Sequence, residues 1–233
     1  MSVKVELHEK FENIYWVVFE DTGEKKLATK NLAPGYAVYG ERLIKYKGEE
    51  YRLWDPYRSK LAAAILRGIN FVPIKTGDRI LYLGAATGST SSHCSDIVGP
   101  KGIIYCVEFS PRVLRELVGV TEYHKNMIPL LEDARFPWKY RMLVPQVDVI
   151  YQDVAQPEQA KILADNAEFF LKPGGWALLA IKARSVDVTA EPSDVYKKEI
   201  ETLKKRNFVI KDVVHLEPFD KAHAFLVMQY KPE

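Results

Sequence analysis

The chain has 233 residues, of which 47% are hydrophobic and 27% charged, a composition typical of a folded globular protein. Its formal net charge is +2 and its pI is near 8.3, so bulk charge does not indicate a nucleic-acid partner and any basic surface must be local. The first residues lack the basic-then-apolar order of a signal peptide, and no apolar run reaches the ~20 residues that span a membrane. We expect a soluble, cytoplasmic protein without a membrane partner.

The two cysteines, Cys94 and Cys106, are too few for a disulfide framework or a four-cysteine metal site. Both fall inside predicted regular elements, so we expect buried thiols in a reducing environment. We predict no metal site.

Residues 1–54 contain short β-branched and aromatic runs separated by Gly, Pro and Asp turns, with no amphipathic helix among them. This pattern predicts a small N-terminal antiparallel β subdomain, with strands at 3–7, 14–19, 25–28, 37–39 and 43–46.

An Ala/Leu-rich segment at 55–68 then predicts a helix of about three turns. Asp55 is a plausible N-cap, Pro56 suits the first helical position and Gly68 suits the residue that ends the helix. Arg58 and Lys60 lie in the first half, where the helix dipole disfavours cations. They are either solvent-facing charges or side chains that face an anionic ligand.

From residue 79 onward, strand and helix patterns alternate, which indicates an α/β domain over 55–233 with a mostly parallel sheet. Only residues 217–221 separate the last two strands, so they should form a hairpin. Seven strands ending this way are typical of the Rossmann-like S-adenosylmethionine-dependent methyltransferase fold. The predicted strands are 79–83, 103–108, 127–131, 147–152, 176–181, 209–216 and 224–230, and the predicted helices are 90–98, 111–120, 157–170 and 193–205.

The stretch 79–90 reads RILYLGAATGST, a strand followed by a glycine turn at Gly84 and by hydroxyl residues that can start a helix. This order suits a nucleotide-like ligand, although an ordinary turn with no ligand fits it as well. Glu108 ends the next strand, about 20 residues further on, where a carboxylate can accept hydrogen bonds from ribose hydroxyls. This placement alone also fits a nicotinamide cofactor or a surface glutamate; the predicted terminal hairpin favours S-adenosylmethionine.

Charged residues follow the next strands as well. Asp133 comes after the third strand, Asp153 directly after the fourth, and Lys182 at the end of the very apolar fifth. An unpaired buried cation is costly, and these last two strands are neighbours in this fold, so Asp153 and Lys182 can pair. A simple helix cap is the alternative for Asp153.

Three sequence blocks resemble fibrillarin: GIIYCVEFSPRVLRE at 102–116, WDPYRSKLAA at 54–63 and DVAQ at 153–156. The first differs mildly from the family's usual form at Ile104 and Cys106, and a serine and a threonine replace the usual threonine pair at 89–90. The resemblance covers essentially the whole chain. The glycine/arginine-rich arm of eukaryotic fibrillarins is absent, so the sequence resembles the archaeal form.

The resemblance implies RNA ribose 2′-O-methylation directed by a box C/D guide RNA, with roles in rRNA and tRNA processing. It implies S-adenosylmethionine contacts at Ser89, Thr90, Glu108, Phe109, Asp133, Ala134, Asp153, Val154, Ala155 and Gln156, beside the turn at Gly84. Matched by motif, the catalytic residues are Lys60, Asp153, Lys182 and His223. The last could instead be an ordinary strand histidine, and His93 and His124 are read as structural.

The implied partners are a Nop-family coiled-coil scaffold, a kink-turn-binding ribosomal-type protein, the guide RNA and the target RNA. A chain with a net charge of +2 should bind RNA weakly alone. Two other functions stay open from sequence: a non-catalytic assembly subunit of the particle, and a methyltransferase acting on protein glutamine.

Overall fold

The computed structural model describes residues 2–232, which form two β-sheets. The N-terminal sheet is entirely antiparallel, in the order β1-β2-β3-β5-β4. Its strands are β1 (Val3–Leu7), β2 (Ile14–Phe19), β3 (Glu24–Lys30), β4 (Leu43–Tyr46) and β5 (Glu49–Leu53).

One predicted strand of this sheet is wrong and one was missed. Residues 37–39 form no strand, because the Glu41 carboxylate accepts hydrogen bonds from the backbone N–H groups of Val38 and Tyr39 and holds them in a turn. The missed strand is β5, whose charged residues Glu50 and Arg52 are buried and disguise the alternation of apolar and polar positions.

The central sheet confirms the predicted seven strands and the terminal hairpin, in the order β11-β12-β10-β9-β6-β7-β8. β12 is antiparallel to both of its neighbours, and the other pairings are parallel. The strand order reverses between β6 and β9, which is where such sheets bind ligands. The strands are β6 (Arg79–Leu83), β7 (Ile103–Glu108), β8 (Met127–Leu131), β9 (Val147–Gln152), β10 (Leu171–Lys182), β11 (Phe208–His215) and β12 (His223–Tyr230).

Helices cover both faces of the central sheet, and their packed side chains form the apolar core. A short 3₁₀ helix at Pro137–Lys139 follows β8. No helix within residues 2–232 is long and apolar enough to cross a membrane. The helices are α1 (Lys60–Leu66), α2 (Ser89–Val98), α3 (Pro111–Thr121), α4 (Gln159–Phe170), α5 (Ala183–Val186) and α6 (Pro192–Lys205).

Helix α1 is shorter than predicted, because Ser59 rather than Asp55 is its N-cap. The Ser59 hydroxyl accepts a hydrogen bond from the Ala62 N–H, whereas the Asp55 carboxylate accepts one from the Tyr57 N–H in a preceding turn. The predicted stop is confirmed, with Gly68 in the left-handed region at a φ of 84°. The shorter helix makes Lys60 its first residue.

A buried ion cluster joins the N-terminal sheet to helix α2. The Arg52 side chain is fully buried, and its Nε lies 2.9 Å from Asp96 Oδ2 while its Nη1 lies 2.5 Å from Glu41 Oε1. Its Nη2 donates to the Ser92 hydroxyl at 3.0 Å. These contacts therefore hold the N-terminal sheet against helix α2. The division into an N-terminal subdomain, residues 1–54, and an α/β domain, residues 55–233, stays a prediction.

Candidate active site

A cavity of about 230 Å³ opens at the carboxyl ends of the parallel strands. It lies where strands β6 to β10 present the loops that follow them, as expected for a ligand site in an open α/β sheet. Its lining includes most of the predicted cofactor residues together with Ala86, Val107 and Glu132, which were not predicted. The predicted members are Gly84, Glu108, Phe109, Asp133, Ala134, Asp153, Val154, Ala155, Gln156 and Lys182.

The glycine turn is shaped by close backbone contact. Gly84 has a φ of 80°, and a Cβ atom there would lie 2.5 Å from the carbonyl oxygen of Asp153. Only glycine allows this approach without movement of the backbone. The turn and the loop after β9 therefore lie against one another at the base of the cavity.

Glu108 is held by the loops on both sides of it. Its Oε2 accepts a hydrogen bond from the Ala86 N–H at 3.1 Å, and its Oε1 accepts one from the Ser110 N–H at 2.9 Å. Each carboxylate oxygen has a further lone pair for a ligand hydroxyl. The fixed carboxylate suits a ribose diol.

Asp133 lies at the next strand end and forms an ion pair with Arg135, whose Nη2 is 2.6 Å from its Oδ2. This hydrogen bond lowers the pKa of the Asp133 carboxyl, which burial would otherwise raise. Asp133 is therefore an ionised acceptor on the cavity wall, suited to an exocyclic amino group.

Ser89 and Thr90 are not among the residues that line the cavity. The Thr90 hydroxyl is buried and donates to the Ser59 hydroxyl at 3.1 Å, which links helix α2 to the N-cap of helix α1. Contact of these two residues with the cofactor stays a prediction.

At the rim of the cavity, one carboxylate lies between two lysines. Asp153 Oδ2 is 3.0 Å from Lys60 Nζ, and Asp153 Oδ1 is 2.8 Å from Lys182 Nζ. The three side chains are between 16% and 20% exposed, so the charges are partly shielded from water yet reachable. Asp153 and Lys182, which the sequence indicated can pair, are paired in the structure.

The two lysines determine the charge state of Asp153. Burial acts to raise the pKa of its carboxyl, but the positive charges of Lys60 and Lys182 outweigh burial and hold the pKa below its usual value. Asp153 is therefore ionised at neutral pH and both ammonium groups lie beside it. Such an arrangement can accept a proton and stabilise a developing negative charge.

Asp220, which sequence reasoning missed, connects His223 to this cluster. His223 Nδ1 lies 2.9 Å from Asp220 Oδ1 and 2.7 Å from the Lys221 carbonyl oxygen, and Asp220 Oδ2 lies 3.6 Å from Lys60 Nζ. In the antiparallel register of strands β12 and β10, His223 also lies directly opposite Lys182. The four predicted catalytic residues are thus brought together. The available signal for Asp220 was its position three residues before His223.

A larger groove of about 610 Å³ lies elsewhere, between the N-terminal sheet and residues 53–58. Its described lining includes none of the four predicted catalytic residues and none of the predicted cofactor residues. The smaller cavity is therefore the better candidate for the chemistry.

His93 and His124, which sequence reasoning read as structural, are buried, and the two cysteines are buried as predicted. Burial lowers the pKa of His93 well below its ordinary value and that of His124 to about 3, so both rings are neutral. Cys94 and Cys106 are free, fully buried thiols, and burial raises the pKa of Cys106 to about 12.

The comparisons with known proteins agree with one another. The model of the family described as Fibrillarin matches residues 5–232. A fibrillarin-like rRNA/tRNA 2′-O-methyltransferase of Staphylothermus marinus is 60% identical over 229 residues, which are 98% of this chain and 97% of that protein. The crystal structure of Aeropyrum pernix fibrillarin with natively bound S-adenosyl-L-methionine aligns with a TM-score of 0.91 at 58% identity, covering 97% of this chain and 99% of that chain. A chain from the crystal structure of a fibrillarin/Nop5p complex aligns with a TM-score of 0.83 at 42% identity, and the alignment covers 94% of this chain and 98% of that chain.

Proposed function

This chain belongs to the fibrillarin family, and from that premise we propose that it transfers a methyl group from S-adenosylmethionine to the ribose 2′-hydroxyl of RNA. We further propose that a box C/D guide RNA selects the target nucleotides in rRNA and tRNA. The observation that carries the proposal is the placement of Asp153 between Lys60 and Lys182 at the rim of the cavity.

The residues of the cavity fit S-adenosylmethionine. Glu108 would accept hydrogen bonds from the ribose hydroxyls of the cofactor, and Asp133 would accept one from its adenine amino group. The close approach of Gly84 to the loop after β9 leaves no room for a Cβ atom at the base of the cavity. When bound, the cofactor supplies an electrophilic methyl group on a sulfonium.

The lysine and aspartate side chains would act on the acceptor. A ribose 2′-hydroxyl is a weak acid, and the Lys182 ammonium would stabilise the negative charge that develops on its oxygen. Asp153 pairs with Lys182, would orient it and would help to take the hydroxyl proton. As the bond from the hydroxyl oxygen to the methyl carbon formed, the methyl–sulfur bond would break, and the sulfur would leave with its electron pair as a neutral thioether. Lys60 would hold a neighbouring phosphate or the ribose. Positioning for in-line transfer supplies much of the remaining acceleration.

We propose that the chain works as a subunit of a ribonucleoprotein. A fibrillarin/Nop5p complex has a subunit that is 42% identical to this chain, which supports a Nop-family scaffold as its partner. A kink-turn-binding ribosomal-type protein, the guide RNA and the target RNA complete the proposed particle.

Replacement of Lys182 in the assembled particle tests this proposal. We expect Lys182→Ala to lower the rate of methyl transfer from labelled cofactor by about 10²-fold or more, because a preorganised cation is lost. Lys161→Ala is the matched control, since Lys161 is exposed and pairs with Asp165 away from the cavity. Calorimetric titration with S-adenosylmethionine separates a loss of cofactor binding from a loss of chemistry. A Lys182→Ala particle that transfers at the wild-type rate would contradict the mechanism.

A further inference from the structure

Two fully buried glutamines lie at the two ends of the loop that follows strand β9 and are hydrogen-bonded to each other. Gln152 is the last residue of β9 and Gln159 the first of helix α4, and the Gln152 side-chain amide donates to the Gln159 carbonyl oxygen at 2.7 Å. The six residues between them, 153–158, include Asp153 and the loop residues that line the cavity. This hydrogen bond therefore holds the two ends of the loop next to each other.

The side chain of Gln159 also holds the backbone of Lys182. The Lys182 N–H donates to Gln159 Oε1 at 3.0 Å, and Gln159 Nε2 donates to the Lys182 carbonyl oxygen at 3.4 Å. Pairing of β10 with β9 ends at Leu179 and Gln152, so β9 supplies no partner to Lys182 on that side. The side-chain amide of Gln159 makes the backbone hydrogen bonds to Lys182 that a longer strand β9 would otherwise make.

Gln159 is itself firmly placed. The Glu199 carboxylate of helix α6 accepts a hydrogen bond from the Ala160 N–H at 2.7 Å, at the N-terminus of helix α4. Gln159 and Glu199 are both buried. Helix α4 is thus held from two sides where it meets the site.

We propose that Gln159 is a positioning residue that sets the distance between the Lys182 ammonium and the Asp153 carboxylate. It fixes the backbone of Lys182 and, through Gln152, the loop that begins with Asp153. This inference rests on the proposed function and adds to it a residue that touches neither the cofactor nor the acceptor. A displacement of about 1 Å at reacting groups can cost about 10²-fold in rate, so the effect should be kinetic.

The test uses three variants in the assembled particle. Gln159→Met has a similar length but makes neither hydrogen bond to Lys182. Gln159→Glu keeps an acceptor for the Lys182 N–H and loses the donor to its carbonyl oxygen. Leu163→Ala is the control, because Leu163 is equally buried in helix α4, and its truncation leaves a cavity that destabilises the fold while keeping both hydrogen bonds from Gln159 to Lys182.

We expect Gln159→Met to lower kcat by about 10-fold to 10²-fold with the KM for target RNA changed by less than about twofold. Gln159→Glu should give a kcat between those of Gln159→Met and the wild type. If Gln159→Met does not fold, the kcat of Gln159→Glu alone, compared with the wild type, tests the positioning role. The Lys182 amide should exchange its hydrogen faster in Gln159→Met than in the wild type, a measurement that needs no RNA. Leu163→Ala should lower the unfolding temperature and leave kcat near the wild-type value.

Wild-type kcat in both glutamine variants would overturn the inference, as would an equal loss of kcat in Leu163→Ala. These outcomes differ from failure of the proposed function itself, in which the wild-type particle transfers no methyl group to RNA although Lys182 amide exchange responds to the glutamine variants. That last result would overturn the positioning role of Gln159 together with the proposed function.

Discussion

Asp153 shows how one residue obtains its properties from neighbours that are distant in sequence. Lys60 comes from the start of helix α1 and Lys182 from the end of strand β10, and both cations lie within 3.0 Å of the carboxylate. A partly buried carboxyl without these partners would have a raised pKa, and with them the pKa is lowered.

The first prediction concerns the titration of Asp153. Because its folded pKa is below the unfolded value, its ion pairs stabilise the fold above the unfolded pKa, and this contribution is lost as pH falls through the folded pKa. Lys182→Met removes one of the two charges that oppose burial, so the pKa of Asp153 should rise. Carbon-13 NMR titration of the Asp153 carboxyl measures this directly. An unchanged or lower midpoint would contradict the account, and Lys161→Met should leave the midpoint in place.

At this scale the sequence was informative about carboxylates and less so about their partners. The apolar run before Asp153 and Lys182 was enough to indicate that they can pair, because both end neighbouring strands. Lys60 was assigned only through the family resemblance, since a lysine near a helix start is ordinary by itself. Asp220 was missed because the short connection before β12 was read only as a hairpin turn.

Among the elements, strand β5 and helix α1 depart most from expectation for local reasons. Burial of Glu50 and Arg52 hides the period-two pattern of β5, since their polar partners come from elsewhere in the fold. The cap of α1 was misplaced because Asp55 and Ser59 both suit an N-cap. The Ser59 hydroxyl also accepts a hydrogen bond from Thr90, a contact distant in sequence that local pattern does not reveal. The other predicted helices and the central strands follow periodicity and lie within two residues of their observed ends, except that β10 begins five residues earlier than predicted, at Leu171. The short helix α5 was not predicted.

The second prediction concerns the junction between the N-terminal sheet and helix α2. Arg52→Met would leave the buried carboxylates of Asp96 and Glu41 without their cation, which should lower the free energy of unfolding by about 3 kcal/mol or more. Lys30→Met is the control, because Lys30 and Glu49 form an exposed ion pair, and should change stability by about 0.5 kcal/mol or less. Urea unfolding at neutral pH measures both. A change in Arg52→Met as small as the control's would show that the junction contributes little.

For the whole molecule, charge limits what the chain does alone. Its formal net charge is +2, and neutralisation of phosphates supplies most non-specific affinity for RNA. We therefore expect the isolated chain to bind target RNA with a Kd of about 1 μM or weaker at physiological salt. Filter binding across a salt series checks this, with the assembled particle as the reference. Nanomolar binding that is insensitive to salt would contradict the prediction.

The layout of the molecule was largely predictable, because strand–helix alternation and a terminal hairpin specify one common topology. The contacts across its two sheets were not predictable from pattern. They depend on buried polar groups, such as Arg52 and Gln159, whose partners lie far away in sequence.

The proposed acceptor, the ribose 2′-hydroxyl, is tested most directly by comparing methyl transfer to two target RNAs that differ only in that oxygen. The assembled particle is given labelled S-adenosylmethionine and one of two RNAs, identical except that the second has a 2′-deoxyribose at the target nucleotide. If the ribose 2′-hydroxyl is the acceptor, label should appear on the target ribose of the first RNA and not on the second. Label on the deoxy target, or on a protein glutamine in place of RNA, would contradict it.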